Sequence, residues 1–451
     1  MVPDQEDPAS SARRIDVSRR GRAPLFRVLA CVLVIVAAEL FSAVGLFIVE
    51  GAWPSPLAME ALREALIARP VAAGLNPDPR NLAPGYRVAH PYLGFALNPE
   101  HESAPHRAYR GIPISEHGFI DDGPAVVSRS DDEVVLGVFG GSVAFFVSID
   151  GLEALAAELR KSPALANKKL RVVRVTQGAY KQPQQLLALN YLLALGAHFD
   201  VVVNLDGFNE VALPRVENEP RGVHPSFPVF WAQLARAGLD PAEQERVCRA
   251  GELQRERREL AESFSTAVLR YSFTWNLLWR YQDLELHREL LEQLNESSRS
   301  RAPRQRHYGA QGPKREPQKH DVELAEQVAL WKRSSEQMHG VCESRGVRYF
   351  HFLQPNQYFE GSKVLTEEER RVAYREDSPY RAPAAMGYPM LVEAGRQLVA
   401  AGVEFHDLSG LFEDVRETIY SDTCCHVNEQ GNRMLAGAVG RAVAGAPGAA
   451  L

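Results

Sequence analysis

From residue 133 onward the chain repeats one unit, a short uninterrupted apolar run joined to a segment with helical spacing. Val134-Val135-Leu136-Gly137-Val138-Phe139 is the first run; Gly140-Gly141 ends it, and a helical pattern begins at Val143. Leu170 to Val175 reads as a second strand, Gln184 to Leu195 as a helix and Phe199 to Leu205 as a third strand. Val347 to Leu353 and Val403 to Leu408 give a fourth and a fifth, each after a helical stretch, Val322 to Arg345 and Met390 to Ala401. Apolar runs this short, without polar alternation, fit strands buried on both faces. The alternation predicts an α/β domain whose five-stranded parallel sheet is covered by helices on both faces, with ligands at the carboxyl ends of the strands.

The 451 residues exceed one small core and allow two or three domains. With 51 Lys+Arg against 57 Asp+Glu, no global field points to nucleic acid. The N-terminus differs from the rest. Arg13, Arg14, Arg19, Arg20, Arg22 and Arg27 precede an apolar run from Val28 to Val49, which at about 1.5 Å per residue spans roughly a bilayer core. A cleaved signal peptide has an apolar stretch of about 7–15 residues and an Ala-x-Ala site, neither of which fits. Residues 28–49 are expected to form an uncleaved transmembrane helix, with residues 1–27 a disordered cytoplasmic tail. Only Arg63 and Arg69 follow before residue 80, so the arginine asymmetry predicts a single-pass protein of the cytoplasmic membrane with everything beyond Trp53 extracytoplasmic. Glu39 falls within the span, where a charge costs a few kcal/mol unless protonated or paired. It marks either a helix–helix contact or a neutral carboxyl.

Residues 54–132, rich in Pro and Gly, read as an irregular segment packed on the domain that follows, which is expected to run from 133 to 445. An insertion at about 211–321 separates the third strand from the fourth. Within it Phe264, Val268, Tyr271, Trp275 and Leu278 recur at spacings of three and four, as in a helical lid or subdomain whose stripe forms core. The stretch from Ser298 to Lys319, with seven Lys/Arg and one Glu, reads as a solvated loop. Outside the anchor and its Cys31, four cysteines remain, Cys248, Cys342, Cys424 and Cys425, an even number that permits disulfides in an oxidising space. A vicinal Cys424–Cys425 bridge is strained, so reduced thiols are expected there. No metal-type spacing is present.

Four segments carry chemically useful residues at or after strand ends: Gly140-Gly141-Ser142, Gly178, Asp206-Gly207-Phe208-Asn209 and Asp422-Thr423-Cys424-Cys425-His426. Small residues before Ser142 allow a sharp turn, and a helix N-terminus presents free N–H groups to an anion. Taken singly each has a plain structural reading: an N-cap at Ser142, a chain turn at Gly178, a turn-stabilising amide at Asn209. His351 and His406 lie in predicted strands and read as packed side chains.

Together the four segments resemble the blocks of the SGNH/GDSL-type hydrolase superfamily: a nucleophilic Ser after strand one, a Gly after strand two, an Asn after strand three and a C-terminal Asp/His pair. The resemblance covers roughly residues 133–210 and 345–440. Gly178-Ala179-Tyr180-Lys181-Gln182-Pro183-Gln184-Gln185, Asn204-Leu205-Asp206-Gly207-Phe208-Asn209-Glu210 and His90-Pro91-Tyr92-Leu93-Gly94-Phe95 make it similar to a membrane-anchored bacterial subgroup. It implies a three-layer α/β/α, flavodoxin-like fold and a serine esterase without cofactor or metal. Ser142 would be the nucleophile, His426 its base and Asp422 the orienter of that base, with an oxyanion hole from Ser142 N–H, Gly178 N–H and the Asn209 side chain. The implied substrate is an acyl ester, with O-acyl groups of cell-envelope glycans or lipids as the class and an envelope polysaccharide as the partner. An O-acyltransferase using the same serine and a non-catalytic polysaccharide-binding module are the alternatives. A phosphate-binding turn at Gly140-Gly141-Ser142 leaves Asn209 and His426 unexplained. The chain departs from the family pattern twice. Gly141 replaces the usual acidic residue, and Asp422 stands four residues before His426 where three is common, which leaves Ser421 or a backbone carbonyl open as orienter.

Overall fold

The computed structural model describes residues 22–445 except 52, 54, 69–85, 101–110, 129, 164–165, 235–240, 266–267, 300–307, 314 and 317. Most of the expected N-terminal tail and part of the basic 298–319 stretch lie outside the described residues. In chain order, helices α1 (Arg22–Glu50) and α2 (Pro56–Ala68) precede a hairpin of β1 (Arg87–His90) and β2 (Gly94–Leu97). The alternating region follows: β3 (Glu133–Gly140), α3 (Ser142–Asp150), α4 (Leu152–Leu159), β4 (Lys169–Thr176), α5 (Gln184–Ala194), β5 (Val201–Asp206) and α6 (Phe208–Leu213). Two long helices, α7 (Pro241–Phe264) and α8 (Phe273–Arg299), interrupt it before α9 (His320–Glu343), β6 (Arg348–Leu353), α10 (Arg381–Ala400), β7 (Glu404–Asp407) and α11 (Glu429–Gly445).

The chain divides into two compact units, one from residues 1–75 and 242–301, the other from 76–241 and 302–451. The second unit is α/β, with β3 to β7 in one five-stranded parallel sheet of order β4-β3-β5-β6-β7. Right-handed crossovers explain the helix packing. The chain steps one way from β3 to β4 and the other way at every later crossover, so α3 and α4 face away from α5, α9 and α10. Accordingly α11 packs on α3 and α4, while α9 packs on α5, α6 and α10. Val135, Val173, Val202, Phe350 and Phe352 are wholly enclosed at the sheet's centre.

In the first unit α1 carries a 25-residue apolar stretch, Phe26–Glu50, long and apolar enough to cross a membrane. Its described side chains from Phe26 to Ala38 are exposed on every side, whereas from Glu39 onward one face is covered by α8 and α2. Glu39 meets its expected need for a partner at a helix–helix contact: its carboxylate accepts from the Ser272 hydroxyl at 2.5 Å and the Phe273 N–H at 2.6 Å. A small core of Leu46, Met59, Phe264 and Trp279 joins the helices.

Three expectations need correction. Segment 54–132 is not irregular throughout: Met59, Leu62, Arg63 and Leu66 fall on one helical face, so α2 forms and packs with α8 in the other unit. The expected insertion of 211–321 is also too wide, because 211–241 and 302–321 belong to the sheet unit and only 242–301 leaves it. Nor is the apolar stripe of the insertion all core. Phe264 and Trp275 stack with ring centroids 4.4 Å apart, but Val268 is 80% exposed, and Tyr271 and Leu278 are about half exposed.

Candidate active site

Three adjacent strands end at the site. Ser142 follows the central β3, Gly178 follows β4 on one side, and Asn209 follows β5 on the other, in the arrangement that gathers ligands at strand carboxyl ends. Gly140 adopts φ +150°, and a Cβ there would lie 2.2 Å from the Leu205 carbonyl oxygen, so only glycine lets the chain leave β3 in this direction. Ser142 is the first residue of α3, and Gly141 as N-cap offers no side chain to its free first-turn N–H groups.

His426 lies in the loop between β7 and α11, 284 residues from Ser142, and its Nε2 is 2.7 Å from Ser142 Oγ. Its Nδ1 is 2.5 Å from Asp422 Oδ2. The four-residue spacing works because Asp422 Oδ1 accepts three backbone N–H groups, from Cys424 at 2.9 Å, Cys425 at 3.1 Å and His426 at 3.2 Å. The chain wraps around one carboxylate oxygen and brings the imidazole to the other. Ser421, the alternative orienter, instead donates to the His426 carbonyl at 3.2 Å. Burial pushes the Asp422 carboxyl up, but the His426 hydrogen bond and charge, with the Cys424 and His426 N–H groups, outweigh it and hold the carboxyl below its ordinary range. The Phe146 ring meets the imidazole edge-on, with centroids 5.4 Å apart.

Asn209, nearly buried on α6, donates through Nδ2 to the Tyr180 carbonyl at 2.7 Å. A Cβ on Gly141 would sit 2.4 Å from that Nδ2, so the amide lies directly against the turn that carries Ser142. The amide occupies the space that a side chain at position 141 would need. The Gly178 N–H makes no hydrogen bond to another backbone group among the described residues. Glu210 fastens the two flanking loops, accepting from Gly207 N–H at 2.9 Å and from Gln182 N–H at 2.9 Å. Burial and the nearby Asp206 raise its carboxyl above the usual range.

Sequence reasoning missed the clamp on the histidine loop. After β6, Gln357 Nε2 donates to the Asp422 carbonyl at 2.8 Å, Tyr358 Oη to Thr423 O at 2.9 Å and Asn356 Nδ2 to Cys424 O at 3.1 Å. The polar run Gln354-Pro355-Asn356-Gln357-Tyr358 at the carboxyl end of a predicted strand was the available signal. His351 and His406 do not join the site. Burial pushes the His406 imidazole down, and it stacks on Phe352 at 5.0 Å. His351 lies between Ser335 Oγ at 2.7 Å and Asp206 Oδ1 at 2.8 Å. Those are the same residue types as in the Ser142 line with the two ring nitrogens exchanged, yet Ser335 and His351 are completely buried, so no substrate reaches them.

Cys424 and Cys425 are free thiols with sulfurs 3.2 Å apart, and burial pushes the Cys425 thiol well above its usual range. Their sulfurs and a His426 ring nitrogen lie within 4.8 Å of one another, a cluster that could hold a metal ion. Both ring nitrogens of His426 are already engaged by Asp422 and Ser142, so a metal there would have to break that line. No protein-family model matches the chain, and no curated protein matches it.

Proposed function

We propose that the protein is a serine ester hydrolase of SGNH type, with a three-layer α/β/α flavodoxin-like fold, that acts on acyl esters. The observation that carries the reading is the continuous line from Ser142 Oγ through His426 to Asp422 at the end of β3. In this mechanism His426 Nε2 takes the Ser142 proton as the oxygen attacks the ester carbonyl, and Asp422 stabilises the imidazolium. The carbonyl electron pair moves onto its oxygen, which the Ser142 and Gly178 N–H groups and the Asn209 amide meet, each donor worth about 3 kcal/mol in the transition state. The imidazolium returns its proton to the departing alcohol, leaving an acyl-serine. Water, deprotonated by His426, then releases the acid. The excess of arginine before Val28 supports a catalytic unit outside the cytoplasm, and with it O-acyl groups of envelope glycans or lipids as the substrate class.

A fluorophosphonate is the direct test. It should phosphonylate Ser142 and no other serine in the intact chain, and Ser142→Ala should abolish labelling. An unlabelled wild-type protein with intact thermal unfolding would sink the esterase reading.

Gly141→Ala tests the oxyanion hole separately. The added methyl group displaces the Asn209 amide while leaving the triad atoms in place, so kcat on p-nitrophenyl acetate should drop about 10²-fold, the loss expected for one donor. Asn209→Ala should match it. Full activity in both variants would remove Asn209 from the mechanism.

A further inference from the structure

We infer that the tip formed by residues 268–278, where α8 begins, is itself inserted in the bilayer that α1 crosses, in the leaflet at the C-terminal end of α1. The inference rests on reading α1 as a membrane span and goes beyond it by giving the membrane a second entry point. Its basis is a parallel register between α1 and α8. Glu39 meets Ser272 and Phe273, and the Ser42 hydroxyl donates to Thr274 Oγ1 at 3.0 Å. Further along, a Cβ on Gly45 would lie 3.0 Å from Leu277, and Glu50 pairs with Arg280 at 2.5 Å. Residue numbers rise together on both helices, so α8 starts beside Glu39 and runs with α1 toward Glu50.

The register sets the depth of the tip. A hydrocarbon core of about 30 Å takes about 20 helical residues, so a core beginning at Val28, after Arg27, ends near Phe47. Glu39 then lies about 12 Å inside that boundary, and the start of α8 is hydrogen-bonded to it. The Glu50–Arg280 pair, about 16 Å along the helix from Glu39, falls among the headgroups.

The side chains at the tip are arranged for lipid. From Tyr271 to Trp279 the sequence Tyr-Ser-Phe-Thr-Trp-Asn-Leu-Leu-Trp contains no charge. Its amide turns inward: Asn276 is wholly buried, accepting from Arg63 and donating to the Arg270 and Ser272 carbonyls. Part of the tip's apolar surface turns outward, with Val268 80% exposed and Leu269, Tyr271 and Leu278 about half exposed, while Trp279 packs in the core of the unit. Arg270 at the tip is paired with Glu60 and stacked on Tyr271. The outward apolar side chains lie next to the exposed apolar face of α1, where a bundle standing in water would present polar groups. The contact also resolves the charge within the span. A carboxylate in hydrocarbon costs a few kcal/mol, and so do bare first-turn N–H groups; Glu39 and the α8 N-terminus satisfy each other only if the tip enters with α1.

The full chain, reconstituted in phosphatidylcholine–phosphatidylglycerol vesicles, is photolysed with a lipid-soluble aryl diazirine, digested with trypsin and mapped by mass spectrometry. Carbene label is expected on peptides 28–63, 259–270 and 271–280, well above that on 364–370, whose exposed Val364 belongs to the other unit. Label on 28–63 without label on 259–280 would leave the span standing and overturn the inserted tip, whether water, a second copy or another protein covers it. Label on none of the three would overturn the span and the inference together.

Discussion

In Ser142→Ala and in His426→Ala, turnover of p-nitrophenyl acetate and butyrate by the full chain is expected to fall about 10⁴- to 10⁶-fold, with KM little changed. The size follows from the geometry. Ser142 Oγ and His426 Nε2 are 2.7 Å apart, and among the described residues no other histidine shares the site. A bare serine hydroxyl has no base for its proton, and a bare imidazole has no nucleophile to activate, so each substitution removes the whole device rather than half of it. The double variant should therefore be no worse than either single one. Losses that multiply in the double variant, or a His426→Ala protein within tenfold of wild type, would mean that Ser142 and His426 do not act as a unit.

Asp422→Asn is expected to lower kcat about 10⁴-fold while the loop stays folded. The asparagine oxygen can still accept the three N–H groups of residues 424–426 that Asp422 Oδ1 now holds. Its amide, however, would donate to His426 Nδ1 where the carboxylate accepts, and this fixes the imidazole as the tautomer with its proton on Nε2. That proton faces Ser142 and blocks the transfer. Asp422→Ala should lose comparable activity and also melt lower, since it leaves the three N–H groups without their acceptor. Acid separates the two roles further. The folded Asp422 carboxyl titrates below its ordinary value of about 3.9, so its stabilisation is fully present above that value and is lost as the pH falls through the depressed folded one. Wild type should therefore lose its melting advantage over Asp422→Ala on strong acidification. An Asp422→Asn protein with near wild-type kcat would give the orienting role to another group.

Much of the fold was legible because its signals are local. All five strands lie within two residues of their expected places; β3, β5 and β6 are buried on both faces and read as continuous apolar runs, while the edge strand β7, Glu404–Asp407, keeps polar residues because it is only half buried. The apolar helix at the N-terminus was equally plain from length and composition. Ser142, Gly178 and Asn209 were found because each directly follows a strand. The division of the insertion was not legible. Phe264, Val268, Tyr271, Trp275 and Leu278 keep a helical period across a break in the chain, so one stripe in sequence becomes a packed pair and an exposed tip in space. The clamp from Asn356, Gln357 and Tyr358 was hidden for another reason: its partners are backbone carbonyls, which leave no mark in a sequence.

The sequence by itself determined the elements and the residue types at their ends, because hydrophobic period, turn residues and helix length act over a few neighbours. The tertiary structure decided everything that depends on ångström distances between remote segments. It set His426 against Ser142 across 284 positions, turned the four-residue Asp422–His426 spacing into a three-fold N–H cradle, and gave Gly141 its meaning as room for the Asn209 amide. It also gave Glu39 its partner at the start of α8. Such distances come from how whole elements pack, and packing is a property of the assembled core, not of any local stretch of chain.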